Sequence, residues 1–293
     1  MDAIKTESLT KYYGRSRGIV ELDLSVGEGE YFGFIGPNGA GKSTTIRTLL
    51  GLIYPTSGRA EVFGRDVSKD KTAILSDVGY LPSEALFYPG MKVKEVLKLS
   101  SDLRGKNCTK RADELCERLK LDASEKIDSL SFGNRKKVAI VAALQSDPRL
   151  LILDEPTGGL DPLMQREFFD IVGERNRDGV TVFLSSHVLP EVQRNCRRAA
   201  VIRDGRIIAC DSVESLARTN TKRVTVHGTV NLEGLDGIKD LKVSGEDVSF
   251  LYGGKTDLLL KRLCEGDVRD LGISEPELDE IFLHYYEKGD DGE

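Results

Sequence analysis

Residues 36–44 read GPNGAGKST and directly follow the apolar run at 31–35, YFGFI. The order predicts a buried strand, then a glycine-rich loop, then a helix over 43–50. Successive backbone N–H groups of such a loop turn inward around an anion. The helix N-terminus adds the positive end of its dipole. The stretch therefore predicts a phosphate-binding loop, and the preceding strand favours this over an ordinary glycine turn.

The loop predicts separate roles for its residues. Its glycines let the backbone approach phosphates without an intervening Cβ. Lys42 is expected to reach the β- and γ-phosphates, and the Ser43 hydroxyl to ligate Mg²⁺. The expected nucleotide contacts are Gly36, Pro37, Asn38, Gly39, Ala40, Gly41, Lys42, Ser43 and Thr44.

Composition narrows the class of protein. The chain has 293 residues, 39% hydrophobic and 31% charged, which is typical of a soluble globular protein. Its net charge of −6 gives no general attraction for nucleic acid. The five cysteines form no CxxC pair and favour a reducing compartment. No apolar run approaches a membrane span, and the charged N-terminus has no signal-peptide core, so a membrane role requires another chain.

Short β-branched runs alternate with amphipathic segments, which favours an α/β fold with a largely parallel sheet. Strands are predicted at 31–35, 60–63, 78–81, 150–153, 181–185 and 199–202. Helices are predicted at 43–50, 92–103, 109–119, 132–144, 162–177 and 190–195. Asp204-Gly205 predicts a hairpin turn before 206–209. The stretch from about 86 to 145 is helix-rich and is interpreted as an insertion.

The pattern changes near residue 212, so we predict domains at 1–212 and 213–293. Short strands at 224–226, 241–243 and 248–252, with helices at 257–264 and 277–286, predict a small α/β appendage.

A second chemical signal follows the insertion. Residues 150–155 read LLILDE, a buried strand that delivers Asp154 and Glu155 to its carboxyl end, where ligands bind in such sheets. Asp154 is expected to hold Mg²⁺, directly or through water. Glu155 is expected to be the general base that deprotonates the attacking water. Helix-capping acids are the alternative interpretation, which the glycine loop disfavours.

Three further motifs make the combination specific. LSFGN at 130–134 precedes the carboxylate strand, GGLDP at 158–162 follows it, and LSSH at 184–187 ends the next predicted strand. In this order the motifs resemble the ATP-binding-cassette (ABC) ATPases, the P-loop NTPase subunits that power ABC transporters. The resemblance covers roughly residues 1–215.

The resemblance implies roles for matching positions. Tyr13 matches an aromatic that stacks on adenine, although Tyr12 is a rival and a packing role stays open. Ser131 and Gly133 match the signature loop that completes the ATP site of the opposite subunit; Ser131 could equally cap a helix. Asp161 matches the loop that couples the two sites. His187 matches the switch histidine that contacts the γ-phosphate.

Two positions depart from the family's usual pattern. The signature reads LSFGN rather than LSGGQ. Ser83 stands where glutamine usually ligates Mg²⁺, so Ser83 or Glu84 would substitute.

The resemblance also implies partners. We expect ATP hydrolysis with ATP and Mg²⁺, a second ABC subunit, identical or different, and an integral membrane permease on whose cytoplasmic face the chain sits. Leu86, Phe87, Tyr88 and Met91 are the expected permease contact, unless they pack inside the insertion. The run at 274–286 resembles the tail of exporter-type cassettes, which favours export, although a structural tail is the alternative. A soluble cassette ATPase acting on ribosome or nucleic acid, and a regulatory ATP sensor, are the other hypotheses.

Overall fold

A computed structural model describes residues 1–217, 222–232 and 234–274. The chain divides into two compact units, Met1–Val213 and Glu214–Glu293. The predicted helix at 277–286 lies outside the described residues. None of the described helices combines the length and the apolar character that crossing a bilayer would require.

The first unit contains ten strands and seven principal helices among its described residues. The strands are β1 (Asp2–Tyr13), β2 (Ser16–Gly27), β3 (Tyr31–Ile35), β4 (Ser57–Val62), β5 (Arg65–Asp66), β6 (Val78–Leu81), β7 (Leu150–Asp154), β8 (Thr181–Ser186), β9 (Arg198–Arg203) and β10 (Arg206–Ser212). The helices are α1 (Lys42–Leu49), α2 (Lys71–Asp77), α3 (Val93–Asp102), α4 (Thr109–Arg118), α5 (Phe132–Leu144), α6 (Pro162–Arg177) and α7 (Leu189–Asn195).

The central sheet has the strand order β10-β9-β3-β8-β7-β6. Its pairs are parallel except for the β9–β10 hairpin, which turns at the predicted Asp204-Gly205. Every residue of β3 and β7 is buried, as expected for central strands covered on both faces. The largely parallel sheet predicted from the sequence is therefore present.

Aromatic packing holds the middle of this sheet together. Phe32 and Phe34 of β3 lie against Phe183 of β8, with ring centroids 6.0 Å and 5.2 Å apart. All three side chains are fully buried, and each contributes about 1.5–3 kcal/mol by leaving water. This packing fixes the strand from which the glycine loop emerges.

A second, antiparallel sheet has the order β2-β1-β4-β5. Its long β1–β2 hairpin was not predicted from the sequence, and neither was the short α2. The predicted strand at 60–63 runs instead over Ser57–Val62, and Phe63, with φ 49°, lies just beyond its end.

Helices α3, α4 and α5 lie in the stretch from about 86 to 145 that the sequence pattern indicates to be an insertion. Two helices begin at side-chain caps: Ser131 accepts from Asn134 N at the start of α5, and Asp161 accepts from Leu163 N and Met164 N at the start of α6. Pro162 at the first position of α6 needs no N–H there.

The second unit has its own core. After α8 (Val213–Ala217), which spans the boundary, a four-stranded antiparallel sheet has the order β12-β13-β11-β14. Its elements are β11 (Lys222–Thr229), β12 (Ile238–Ser244), β13 (Asp247–Tyr252), α9 (Thr256–Cys264) and β14 (Asp267–Ser274). Val224, Val226 and Phe250 pack with Leu259 and Leu263 of α9. Strand β14 was not predicted.

Candidate nucleotide site

The glycine loop lies at the carboxyl end of β3 and leads directly into α1. Gly41, immediately before the helix, has φ 113°, a value open to glycine and strained for other residues. A Cβ at this position would come within 2.8 Å of the Gly18 carbonyl oxygen. Both the conformation and the close approach therefore require glycine at Gly41.

The side chain of Lys42 is folded into the loop and is 6% exposed. Its Nζ donates to the carbonyl oxygens of Gly36 at 2.6 Å and Pro37 at 3.2 Å. The same nitrogen lies 3.2 Å from Glu155 Oε1. A buried cation is thus held at the mouth of the loop, next to the carboxylate predicted to be the base.

Asp154 ends β7 and is almost fully buried. The hydroxyls of Ser43 and Ser185 donate to its two oxygens, at 3.0 Å and 3.1 Å. Burial raises the pKa of Asp154 above its ordinary value, and these two hydrogen bonds act in the opposite direction. Ser43 and Asp154, the two residues expected to ligate Mg²⁺, are therefore in direct contact through their oxygen atoms.

Glu155 follows Asp154 with a left-handed backbone, φ 47°, which is uncommon for a residue with a side chain. Its Oε2 lies 2.6 Å from His187 Nδ1. The contact fixes the position of this oxygen against the imidazole ring. Oε1 is buried and accepts no hydrogen bond from the described residues, although Lys42 Nζ is paired with it at 3.2 Å. One oxygen of Glu155 is therefore oriented, and the other keeps its accepting capacity.

Lys42, Ser43 and Glu155 line a cavity of about 280 Å³, whereas Asp154 and His187 are not among its lining residues and contact Ser43 and Glu155, respectively. Its lining residues are Arg17, Gly18, Pro37, Asn38, Gly39, Gly41, Lys42, Ser43, Thr44, Ser83 and Glu155. Ser83 is thus placed at the site, whereas Glu84 is not among the lining residues. Arg17 and Gly18 were missed by sequence reasoning, because the hairpin that brings them there was not predicted.

Tyr13 lies at the end of β1, on the same hairpin. Its ring is close to Gly18, since a Cβ on Gly18 would approach Tyr13 Cε2 to 3.2 Å. Tyr13 is 46% exposed, and Lys11 Nζ lies 5.4 Å from the centre of its ring. Tyr13 does not line the cavity but stands next to a residue that does, so adenine stacking stays a prediction.

Ser131, Gly133 and Asp161 do not line the cavity within this chain. Gly133 and Gly159 are packed closely, and a Cβ on Gly159 would collide with the Phe132 ring. Phe132, which stands where the usual signature has glycine, thus packs against Gly159 in the loop before α6. The two loops form one continuous surface, in which Ser131 and Asp161 are exposed.

A buried acid that sequence reasoning missed supports the histidine. Glu191 of α7 accepts from the hydroxyls of Thr157 at 2.6 Å and Ser186 at 2.9 Å. Ser186 also accepts from Val188 N at 2.9 Å, so both residues flanking His187 are fixed. The only sequence signal for this role of Glu191 is its position four residues after His187. That signal is weak, because the partner Thr157 lies 34 residues away.

A strand, a glycine loop and a helix with a buried lysine, beside an aspartate that accepts from the loop serine, define a P-loop nucleotide-binding protein. Residues 19–158 match the family model described as ABC transporter. The bacitracin transport ATP-binding protein BcrA of Bacillus licheniformis is 34% identical over 96% of both chains. The linearmycin resistance ATP-binding protein LnrL of Bacillus subtilis is 32% identical over 96% of this chain and 97% of its own.

Solved structures agree with this assignment. The ATP-binding subunit of an ABC transporter has a TM-score of 0.70 at 28% identity, covering 74% of this chain and 92% of its own. A dimeric ATP-binding cassette in a post-hydrolysis state with ADP and Pi has a TM-score of 0.64 at 25% identity, covering 72% of this chain and 98% of its own. The chain belongs to the ATP-binding proteins of ABC transporters, and it is an ATPase.

Proposed function

We propose that ATP hydrolysis by this chain drives export through a separate membrane permease. The observation that carries the proposal is the cavity lined by the glycine loop, Lys42 and Glu155, with His187 in contact with Glu155. The direction is supported by relatives named for bacitracin transport, linearmycin resistance and daunorubicin resistance.

The side chains divide the hydrolytic work. Glu155 is the general base: its Oε1, which is paired with Lys42 but accepts no hydrogen bond, accepts a proton from the attacking water, while His187 contacts the other oxygen. The positive charge of Lys42 offsets the negative charge that develops on the phosphates in the transition state. Loop N–H groups and the start of α1 add further donors.

The residues present fit a Mg²⁺ ion. Asp154 Oδ2 and Ser43 Oγ lie 3.0 Å apart at the glycine loop, and oxygen atoms are the ligands that this ion prefers. Mg²⁺ at a nucleotide site is commonly held by one or two carboxylates together with substrate phosphates. We therefore assign Asp154 and Ser43 as its ligands, with Ser83 at the same cavity and Glu84 outside it. The ion, when bound, neutralises phosphate charge.

We further propose that two cassettes meet and complete each other's sites. Ser131, Gly133 and Asp161 do not line the cavity of their own chain, and Ser131 and Asp161 are exposed, as residues acting on a second copy must be. The Ser131 hydroxyl sits at the N-terminus of α5, which favours an anionic group such as a γ-phosphate. The second subunit is either another copy or a different ABC subunit.

The permease is proposed to dock on the helical insertion. A mainly apolar groove of about 730 Å³ lies there, lined by Leu86, Phe87, Tyr88, Met91 and parts of α2 and α3. Leu86 and Tyr88 are 86% and 72% exposed, so at least these two do not pack inside the insertion. Exposed apolar side chains around a groove are typical of a protein contact.

The chain would then lie at the cytoplasmic face of the membrane, with domains at 1–212 and 213–293. A soluble cassette that acts on ribosome or nucleic acid is less well supported, because the full-length relatives are named for transport and resistance.

The test combines hydrolysis with partner binding. Glu155→Gln is expected to lose hydrolysis by about 10²–10⁴-fold while keeping ATP binding, because Lys42 and the loop remain. Leu86→Glu is expected to keep basal ATPase activity but to lose co-purification with a multi-span partner from detergent-solubilised membranes of the same organism. Leu52→Glu, at another exposed leucine, is the control. Rapid turnover by Glu155→Gln, or unchanged co-purification by Leu86→Glu, would refute the corresponding role.

A further inference from the structure

Lys136 of α5 is a buried cation with an unusual set of partners. It is 2% exposed, and its Nζ donates to the carbonyl oxygens of Pro82 at 2.9 Å, Ser83 at 2.9 Å and Glu155 at 3.0 Å. An ammonium group has three N–H bonds, so its donors are fully used. Across the residues that the structure describes, no carboxylate forms an ion pair with it.

Burying this charge is unfavourable. Loss of hydration lowers the pKa of Lys136 to about 8, and an apolar side chain of similar size would fill the space without that cost. Core packing alone therefore does not account for a lysine at this position. The ammonium group of Lys136 instead donates one hydrogen bond to each of three carbonyl oxygens, which belong to two separate segments.

Those segments carry residues of the nucleotide site. Ser83 follows β6 and lines the cavity. Glu155 follows β7, has a left-handed backbone, and presents its side chain to Lys42 and His187. A strained backbone persists only where its surroundings hold it. One nitrogen atom thus fixes the peptide groups of both segments to the helix that begins after Ser131.

We propose that Lys136 is a positioning residue for hydrolysis. Its ammonium group holds the Glu155 peptide in the left-handed conformation and ties it, together with Ser83, to α5. The Glu155 carboxylate is thereby directed at the attacking water, and a displacement of α5 is transmitted to it. The inference rests on the hydrolytic role proposed for Glu155.

The test compares three variants of the full chain in steady-state ATP hydrolysis. Lys136→Met keeps the aliphatic volume and removes all three donors. Lys136→Gln keeps two N–H donors without the charge. Gln145→Met is the matched control: Gln145 ends the same helix, is 2% exposed, and donates to the Leu97 carbonyl oxygen at 3.0 Å, away from the cavity.

Lys136→Met is expected to lower kcat by about 10- to 100-fold, because small misplacements of a catalytic group are costly. Its KM for ATP should stay close to wild type, since Lys42 and the loop are intact. Lys136→Gln should recover part of the loss. Gln145→Met should lose stability without a change in kcat.

Wild-type kcat in Lys136→Met would overturn the inference. An equal loss of kcat in Gln145→Met, or a rise in KM with kcat unchanged, would do the same. If Lys136→Met does not fold, Lys136→Gln carries the test, and an unaltered kcat there overturns the inference. Glu155→Gln is assayed in parallel: normal hydrolysis by that variant refutes the role of Glu155 itself, a separate result from a failure of Lys136.

Discussion

Replacing Glu191 by alanine tests whether the buried acid of α7 holds the segment around His187 in place. The carboxylate bridges two segments through the hydroxyls of Thr157, at 2.6 Å, and Ser186, at 2.9 Å. Glu191 is 9% exposed, so water does not readily replace the missing acceptor.

The structure sets the size of the effect. Each hydrogen bond to a charged acceptor contributes about 1.5–3 kcal/mol. Two such bonds would give about 3–6 kcal/mol, and removal of a buried carboxylate returns part of this. Ser186 also keeps one partner, because its oxygen accepts from Val188 N. We therefore expect Glu191→Ala to lower the free energy of unfolding by about 2–4 kcal/mol.

The assay is urea unfolding of the full chain, followed by far-UV circular dichroism, with Glu191→Gln as the companion variant. Glutamine keeps one acceptor and can donate to the other hydroxyl, which rotates to accept, so its cost should stay below about 1 kcal/mol. An unchanged urea midpoint in Glu191→Ala would refute the bridging role. An equal loss in both variants would show that charge, rather than hydrogen bonding, holds the segment.

Three further predictions concern the same region. Burial raises the pKa of Glu191 above its ordinary value of 4.5, so the folded chain retains this proton to higher pH than the unfolded chain does. The free energy of unfolding of the wild type, compared with that of Glu191→Gln, should therefore fall as the pH rises above 4.5. Urea midpoints measured across about pH 4–7 check this prediction. Gly159→Ala should cost about 1–3 kcal/mol, because φ is 81° and the Cβ meets the Phe132 ring; a thermal scan showing a smaller loss in the Phe132→Ala background would confirm the collision, and an identical loss would refute it. Ser131→Ala should cost about 1 kcal/mol through loss of the helix cap. Ser131→Asp should keep the cap but lose hydrolysis by charge repulsion, so wild-type turnover in Ser131→Asp would contradict a phosphate contact.

Patterns confined to one segment were predictable. Helices α5 and α6 begin where Ser131 and Asp161 cap them, and the predicted ranges 132–144 and 162–177 agree with the structure. The apolar run at 150–153 and the glycine loop carry equally local signals. Family and fold followed from the order of such motifs.

Features that depend on distant partners were not predictable. The β1–β2 hairpin turns at Gly14-Arg15, and the alternation of its two strands is interrupted by register shifts, so the strands carry no regular pattern in the sequence. In the sequence, Lys136 and Glu191 cannot be distinguished from ordinary charged residues of helices. The hydrogen-bond partners of Lys136 lie 19–54 positions away, and those of Glu191 lie 5–34 positions away. Burial and partner atoms, rather than residue type, distinguish them.

The position of β3 between β8 and β9 has a consequence for biosynthesis. The strand that feeds the glycine loop pairs with segments about 150 residues later in the chain. A nascent chain that has emerged only as far as the insertion therefore lacks both neighbours of β3 and cannot hold the loop in shape. Nucleotide can stabilise the protein only after about residue 203 has left the ribosome, so the first unit must complete most of its folding without help from its ligand.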